Sequence, residues 1–270
     1  MAVYILILGV IFGSFINALV WRLHLKPTLK TKKSELSILK GHSICPHCRH
    51  RLSSFDLIPI LSWLMLRGRC RYCQKNISIE YPVVELLTGL LFLISYVNWP
   101  LNFSLYSYVL LAIWLAILVL FISLSLYDLK YKILPNTLVY LTISLSLIYS
   151  IIYYLHYSQT IHYVVTRIIG VILSAGVFYF IFHISNGKWI GGGDVKLCIS
   201  LGLLLGGPLE TILMIFIASS TGSIVSLILI ALKKLKPNST IAFGPLLIFG
   251  TFVCFLFQPQ LTNLYTRLLN

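Results

Sequence analysis

Acidic residues are scarce in this chain: seven Asp and Glu among 270 residues, against 21 Lys and Arg. Charged residues of both signs make up only 10%, hydrophobic residues 58%, and the mean hydropathy is +0.91. A soluble domain carries roughly 25% charged residues, so this poverty of charge excludes one. The first apolar run, 1–21, has no basic stretch ahead of it and no small-residue cleavage site, and Arg22 follows it directly. Those absences exclude a cleaved signal peptide and leave a retained first span. No period of roughly 20–50 residues recurs, which excludes a soluble repeat array.

What the chain does contain is a succession of apolar runs, several of them near the ~20 residues that carry a helix across a bilayer. The sequence therefore predicts an all-α polytopic membrane protein of about eight transmembrane helices. The expected spans are about 2–21, 82–97, 105–127, 137–154, 164–184, a short one from 194 to 206, 211–232 and 241–257. Twelve of the 21 Lys and Arg fall between Arg22 and Lys75: Arg22, Lys26, Lys30, Lys32, Lys33, Lys40, Arg49, Arg51, Arg67, Arg69, Arg71 and Lys75. The positive-inside rule places that segment in the cytoplasm and the N-terminus outside. Topology alone accounts for the basic excess, so nucleic acid is not an expected partner. Threaded alternately, the remaining turns close without conflict. Lys130 and Lys132, Lys188, and Lys233 with Lys234 and Lys236 all land inside, with Arg167 and Arg267 as exceptions toward the outer side.

Two of the seven acids lie against long apolar runs. Asp128 ends the third span, and Asp194 follows Gly191-Gly192-Gly193 at the start of the sixth. A carboxylate at membrane depth or at its edge is costly and points to function. Counting spans puts both on the cytoplasmic side, which nothing in the counting presupposes. Paired general acid/base chemistry at the membrane surface is the reading, against the plainer one of two aspartates capping helix ends. Lys196, two residues past Asp194, is placed to favour its charged form. Glycine at 191–193 lets a backbone or an extended substrate approach closely. Pro135-Asn136 reads as a plain stop and restart between spans.

The basic loop holds Cys45-Pro46-His47-Cys48 and Cys70-Arg71-Tyr72-Cys73. Two such pairs at this separation have zinc-ribbon spacing, in which four thiolates enclose a tetrahedral Zn²⁺. Cys45, Cys48, Cys70 and Cys73 are thus the expected metal ligands. A site closed by four sulfurs has no open position and is structural. His42, His47 and His50 read as bystanders, and Cys198 and Cys254 as buried apolar fillers. Asn17 is expected to hydrogen-bond a neighbouring helix, and Glu85 to pair with a loop arginine or to contact substrate. Glu80 reads as solvated at the interface; Glu35, Asp56 and Glu210 carry no signal beyond a loop role.

Several segments, in this order, resemble the type IV prepilin peptidases, the prepilin leader peptidase/N-methyltransferases. They are Gly13-Ser14-Phe15-Ile16-Asn17 with Arg22, both CxxC pairs, and Leu64-Met65-Leu66-Arg67-Gly68-Arg69-Cys70. Further along come Tyr81-Pro82-Val83-Val84-Glu85, Asp128 with Pro135-Asn136, Gly191-Gly192-Gly193-Asp194-Val195-Lys196-Leu197, and Phe243-Gly244-Pro245. The chain departs from the family near Arg22, at Glu80 and at Leu134; none of these touches the aspartates. The resemblance implies an intramembrane aspartyl endopeptidase with Asp128 and Asp194 as the catalytic pair, sharing a proton. Its substrates would be type IV prepilins and pilin-like proteins, whose short basic leader ends in Gly and precedes an apolar helix. Cleavage would fall at the cytoplasmic face of a bacterial plasma membrane, among membrane lipid.

The resemblance also implies methylation of the new N-terminus with S-adenosylmethionine, although the chain shows no fingerprint for that cofactor. On this reading, 1–21 is the first span, 22–81 a zinc-binding loop associated with methyl transfer, and 82–270 the peptidase. Three rivals stand beside it. A presenilin-like protease shares the Tyr127-Asp128 pattern but lacks the cysteine loop. A proton-coupled transporter would set its carboxylates near the midplane of repeated halves. A zinc-ribbon membrane scaffold without catalysis would tolerate loss of both aspartates.

Overall fold

A computed structural model describes residues 1–25, 42–236, 239, 241–258 and 260–261. Lys26, Lys30, Lys32, Lys33, Lys40, Glu35 and Arg267, all weighed above, lie outside the described residues. The chain clusters into two units, Met1–Val97 and Asn98–Asn270. Among the described residues it is helical, with two isolated β-bridges and no strand.

The first unit is a helical hairpin with a long insertion. Helix α1 (Ala2–Leu25) and helix α3 (Glu80–Val97) run antiparallel; between them lie a 3₁₀ turn, Ser54–Leu57, and the short helix α2 (Leu61–Met65). Apolar side chains give two membrane helices little reason to prefer each other over lipid, so small residues that let backbones approach do the selecting. Gly9 and Gly13, one turn apart on α1, serve that purpose. A Cβ on Gly9 would lie 2.8 Å from the Gly89 Cα, and one on Gly13 would lie 2.5 Å from the Glu85 Cα. One turn further along, Asn17 donates Nδ2–H to the Tyr81 carbonyl at 3.2 Å, the interhelical bond expected of it.

The second unit contains α4 (Leu105–Tyr131), α5 (Asn136–Tyr157), α6 (Ile161–Val171), α7 (Val177–Ile184), α8 (Gly192–Leu205), α9 (Pro208–Ala231) and α10 (Gly244–Leu256). Helix α4 forms its core. It starts at Ser104, whose hydroxyl accepts from the Ser107 N–H, and stops at Lys132 in the left-handed conformation. Trp114, fully buried, stacks on Phe255 of α10 with ring centroids 3.9 Å apart. Helices α6 and α7 are one rod interrupted by a π-helical turn, Ile172–Gly176. Within that turn the buried Ser174 hydroxyl donates to Cys198 O of α8 at 2.9 Å.

Helix α8 is short, and its neighbours hold it closely. Gly202 meets the α6 backbone so tightly that a Cβ would lie 2.7 Å from both Gly170 O and the Val171 Cα. From α5, Ser146 and Ser200 exchange a 2.6 Å hydroxyl bond, and the Ser150 hydroxyl donates to Leu203 O at 3.0 Å. At its far end Arg167 donates to the Leu203 carbonyl at 2.9 Å and to that of Leu204, with its guanidinium over the Tyr163 ring. A cation on terminal carbonyls is favoured by the helix dipole. That explains the one described arginine that the threading left stranded toward the outer side.

Among the described residues, six helices are long and apolar enough to cross a membrane: Ala2–Leu25, Glu80–Val97, Leu105–Tyr131, Asn136–Tyr157, Ile161–Ile184 and Pro208–Ala231. The expected count of about eight spans is thus not confirmed. Helices α8 and α10 have 14 and 13 residues, or about 20 Å of rise each, against a hydrocarbon core of about 30 Å. Glycines set the limits of α8: Gly191 precedes it, and Gly206 ends it at a φ of 70°.

Candidate active site and metal centre

Asp128 lies one turn from the end of α4, 6% exposed. Asp194 is the third residue of α8, where its Oδ2 accepts the Gly191 N–H at 3.3 Å. That bond is half of a capping box, since a glycine has no side chain to answer it. The plainer reading of Asp194 as a helix-end aspartate is thus true as far as it goes. It does not account for what else the position does.

The two carboxylates, 66 positions apart in sequence, converge on Gly244 at the start of α10. A Cβ there would sit 2.9 Å from Asp128 Oδ2 and 3.6 Å from Asp194 Oδ1. The Gly244 backbone N–H is directed at Asp128. The N-termini of α8 and α10 therefore both adjoin the acids, each bringing the positive end of a helix dipole, and the carboxylates take up N–H groups that have no partner within the helices. Leu134, 8% exposed, forms the apolar wall. It fills the space beside Gly193, where a Cβ would lie 2.9 Å from its own, and it reaches toward Gly244. Two acids with apolar and glycine surfaces around them can hold a water molecule between them and admit an extended peptide backbone.

Sequence reasoning placed Asp128 and Asp194 on one side, and the structure brings them together. It did not foresee that Gly244 adjoins them; the available signal was Gly-Pro opening an apolar run, at a site where any side chain would displace a carboxylate. The expectation for Lys196 is corrected. Its ammonium donates to Asn136 Oδ1 at 2.9 Å and lies over the Tyr140 ring, so it joins α8 to α5. Asn136 is correspondingly more than a stop signal. Glu85 also differs from expectation: its Oε2 accepts the Ile60 backbone N–H at 2.7 Å, and Ser14 is its other partner. A strongly bent loop backbone, with Ile60 at a φ of 61°, thus takes the place of the expected arginine.

In the cysteine loop the two knuckles are near copies. The bridge Ile44↔Arg51 closes the first and Arg69↔Asn76 the second. Cys45 N–H donates to His50 O and Cys70 N–H to Lys75 O, and Arg49 and Gln74 occupy the matching left-handed positions at φ 57° and 59°. The Sγ atoms of Cys45, Cys48, Cys70 and Cys73 all lie within 4.8 Å of one another, with 3.9 Å between Cys45 and Cys73. Tetrahedral Zn–S bonds of about 2.3 Å require sulfurs about 3.8 Å apart, so the cage fits zinc. Burial works to raise the Cys45 thiol, but the backbone N–H groups of Cys48 and His47 and the Cys48 and Cys70 thiols together outweigh it and bring it down to about 7. The Lys75 N–H works to lower Cys73, yet burial and the three neighbouring thiols carry it up to about 11. His50 packs at a tilt against the Tyr72 ring, and the ligand cluster contains cysteines alone.

Asp56, given no role from sequence, ties the 3₁₀ turn to the second knuckle. It accepts from the Ser53 hydroxyl at 2.8 Å, the Ser53 N–H at 3.1 Å, Arg71 Nε at 2.7 Å and Tyr72 at 3.2 Å. Cys198 and Cys254 are fully buried, as fillers should be.

Residues 7–99 match the family model described as the bacterial peptidase A24 N-terminal domain, and residues 114–227 match that of the type IV leader peptidase family. The two matches divide where the structure divides. The prepilin leader peptidase/N-methyltransferase of Stutzerimonas stutzeri is 30% identical over 277 residues, covering 97% of this chain and 92% of that protein. The type 4 prepilin-like proteins leader peptide-processing enzyme of Escherichia coli O78:H11 is 33% identical over 255 residues, 90% of this chain and 88% of its own. A prepilin leader peptidase/N-methyltransferase of Legionella pneumophila is 32% identical over 238 residues, 87% of this chain and 79% of its own. No solved structure matches the chain.

Proposed function

We propose, from the premise that this chain belongs to the prepilin leader peptidase/N-methyltransferase family, that it is an aspartyl endopeptidase. It cuts the short basic leader from type IV prepilins and pilin-like proteins at the cytoplasmic face of the bacterial plasma membrane. The observation that carries the mechanism is the convergence of Asp128 and Asp194 on Gly244. Two carboxylates so placed hold one proton between them. The ionised one takes a proton from a water whose oxygen attacks the scissile carbonyl carbon, while the protonated one hydrogen-bonds the carbonyl oxygen. Collapse of the tetrahedral adduct breaks the C–N bond as the amine nitrogen takes up a proton. The products are a leader ending in a carboxylate and a shortened chain with a free amine. The glycines at 191–193 and 244 leave room for the substrate backbone, and no metal enters these steps.

The cysteine loop in 22–81 holds a structural zinc ion through Cys45, Cys48, Cys70 and Cys73. When bound, the ion cross-links two knuckles that have little apolar core of their own. The peptidase chemistry falls to residues beyond 82, with both aspartates in the second unit. The relatives are also named N-methyltransferases, and on this reading the methyl acceptor is the new amine and the donor S-adenosylmethionine.

The test is cleavage of a prepilin in membranes by the parent protein, Asp128→Asn and Asp194→Asn, with the amount of folded protein measured for each. Loss in both variants, by a factor on the order of 10³ or more, is the expected result. Cleavage that survives in either variant would remove the paired-carboxylate mechanism.

A further inference from the structure

The loop between α1 and α3 carries a set of apolar side chains that the peptidase reading does not use. Leu61, Leu64 and Met65 lie on one face of α2, at i, i+3 and i+4, and are 57%, 57% and 83% exposed. Phe55, on the preceding 3₁₀ turn, is 73% exposed. In the flanking chain, Arg51, Arg67 and Arg69 are exposed as well. A contiguous apolar surface with a polar rim marks an interaction site. The occupant follows from the depth at which the structure holds it.

Ile60, the residue before α2, donates its backbone N–H to Glu85 at 2.7 Å. Glu85 is not at the end of its helix. It lies more than a turn inside α3, and its Cα faces Gly13, midway along α1. Trp21, the last apolar residue of the first run, lies about 12 Å further along α1 at 1.5 Å per residue. Allowing the Glu85 side chain about one turn of reach toward that end, and the 2.7 Å hydrogen bond beyond it, Ile60 still lies roughly 4 Å below the level of Trp21. Interfacial helices bury their apolar face about 5–10 Å into the headgroup and acyl boundary. Trp63 holds the other side of α2 to the second knuckle, donating Nε1–H to Ile77 O at 3.2 Å and packing on Gly68. With its depth fixed by Glu85 and its rear face occupied by the knuckle, α2 presents Leu61, Leu64 and Met65 sideways at the level of lipid.

We infer that residues 55–65 form an in-plane membrane-interface segment, held at that depth by the Glu85–Ile60 hydrogen bond. It has phospholipid against Phe55, Leu61, Leu64 and Met65, and anionic headgroups against Arg51, Arg67 and Arg69. Exposed arginines near such a surface attract acidic lipid, and their stems cover apolar area while the guanidinium remains in the headgroup layer. The metal-binding knuckles are thereby docked to the bilayer at a point beyond the two chain connections.

The experiment places p-benzoylphenylalanine singly at positions 55, 64 and 65 of the full-length protein. The protein is reconstituted in vesicles of phosphatidylethanolamine and phosphatidylglycerol, irradiated, and analysed by mass spectrometry for phospholipid adducts. Position 180, on α7 and 65% exposed, is the lipid-facing reference, and position 75, on the second knuckle, is the solvent-facing one. Positions 55, 64 and 65 are expected to give lipid adducts at the yield of position 180 and several-fold above position 75. Glu85→Gln, which keeps an acceptor, is expected to preserve those yields, and Glu85→Ala to lower them at positions 64 and 65 several-fold. Yields at the level of position 75 would overturn the proposal in favour of a solvated loop. Adducts to protein in place of lipid would overturn it in favour of a protein partner. Yields unchanged by Glu85→Ala would overturn the anchoring.

Discussion

The two units solve the same problem, holding polar groups in a fixed arrangement, with opposite means. In the loop of the first unit the four sulfurs, Asp56 and the Glu85–Ile60 bond are cross-links between segments with little core between them. In the second unit the aspartates are fixed by packing: α4 lies inside a wall of helices, and α8 is set by Gly170, Gly202 and Ser174 at backbone-contact range. Loss of a cross-link is felt locally, whereas loss of packing is felt throughout the unit that shares it. Substitutions and metal removal should separate the two on this basis.

The largest effect is expected from the metal centre. Structural zinc contributes on the order of 10 kcal/mol to small thiolate-held folds. Cys70→Ser, or extraction of the ion with a chelator, is expected to abolish amide-exchange protection over residues 44–76 and leave α4 to α10 protected as before. Hydrogen–deuterium exchange on the full chain in detergent reads both regions at once. Simultaneous loss of protection in α4 and α8 would break the comparison, because it would mean that the loop supports the core.

Next in size is Gly202→Val. Its added atoms meet the Val171 Cα and Gly170 O where even one Cβ would lie at 2.7 Å. Neither is the end of a flexible side chain, so helices must separate. Overpacking of this kind costs about 3 kcal/mol. Thermal unfolding of the second unit should shift down by several degrees while exchange over residues 44–76 stays unchanged. Gly244→Ala sharpens the same point for activity. Its Cβ would lie 2.9 Å from Asp128 Oδ2, enough to displace one carboxylate from its partner. Cleavage should fall about 100-fold, since sub-ångström placement governs such steps, with little change in the melting temperature. An active Gly244→Ala protein would show that the pair has more freedom than the packing around it implies.

Much of this arrangement was legible in the sequence, for identifiable reasons. Charge is so scarce that Asp128 and Asp194 stand out against their apolar surroundings, and counting spans needs only hydropathy and the distribution of Lys and Arg. The spacing of Cys45, Cys48, Cys70 and Cys73 is a property of the ligand geometry and survives translation into sequence. What was not legible depends on contacts distant in sequence. The partner of Glu85 is a backbone N–H 25 residues away, and that of Lys196 is an amide 60 residues away; a side chain's type names its chemistry without naming its neighbour. The span count is left unconfirmed where short helices are shielded by other helices. Buried among α5, α6 and the π-helical turn, α8 is under no requirement to reach across the hydrocarbon by itself. Asp56 was passed over because a lone acid in a basic loop looks solvated, yet its side chain is only 3% exposed.

Asp56 supplies the smallest predicted effect and the finest test of the loop as a set of cross-links. Burial works to raise its carboxyl, but the Ser53 hydroxyl and N–H, Arg71 and Tyr72 together outweigh that and hold it below the ordinary value of 3.8. A carboxyl depressed on folding binds protons more readily in the unfolded loop than in the folded one. Its stabilisation is therefore fully present above about pH 4 and is lost as the pH falls through the lower, folded-state value. With Arg71 half exposed, the pair contributes on the order of 1 kcal/mol or less. Asp56→Asn should accordingly speed amide exchange over residues 53–72 a few-fold at pH 6, leave the bound metal in place, and flatten the acid-induced part of the exchange profile. Proton-driven release of the ion also loosens the loop at low pH, but it acts equally on the parent and on Asp56→Asn, so the difference between their profiles isolates the carboxylate. A difference that does not diminish as the pH is lowered would assign the effect to the shape of the 3₁₀ turn and not to the charge that joins it to Arg71.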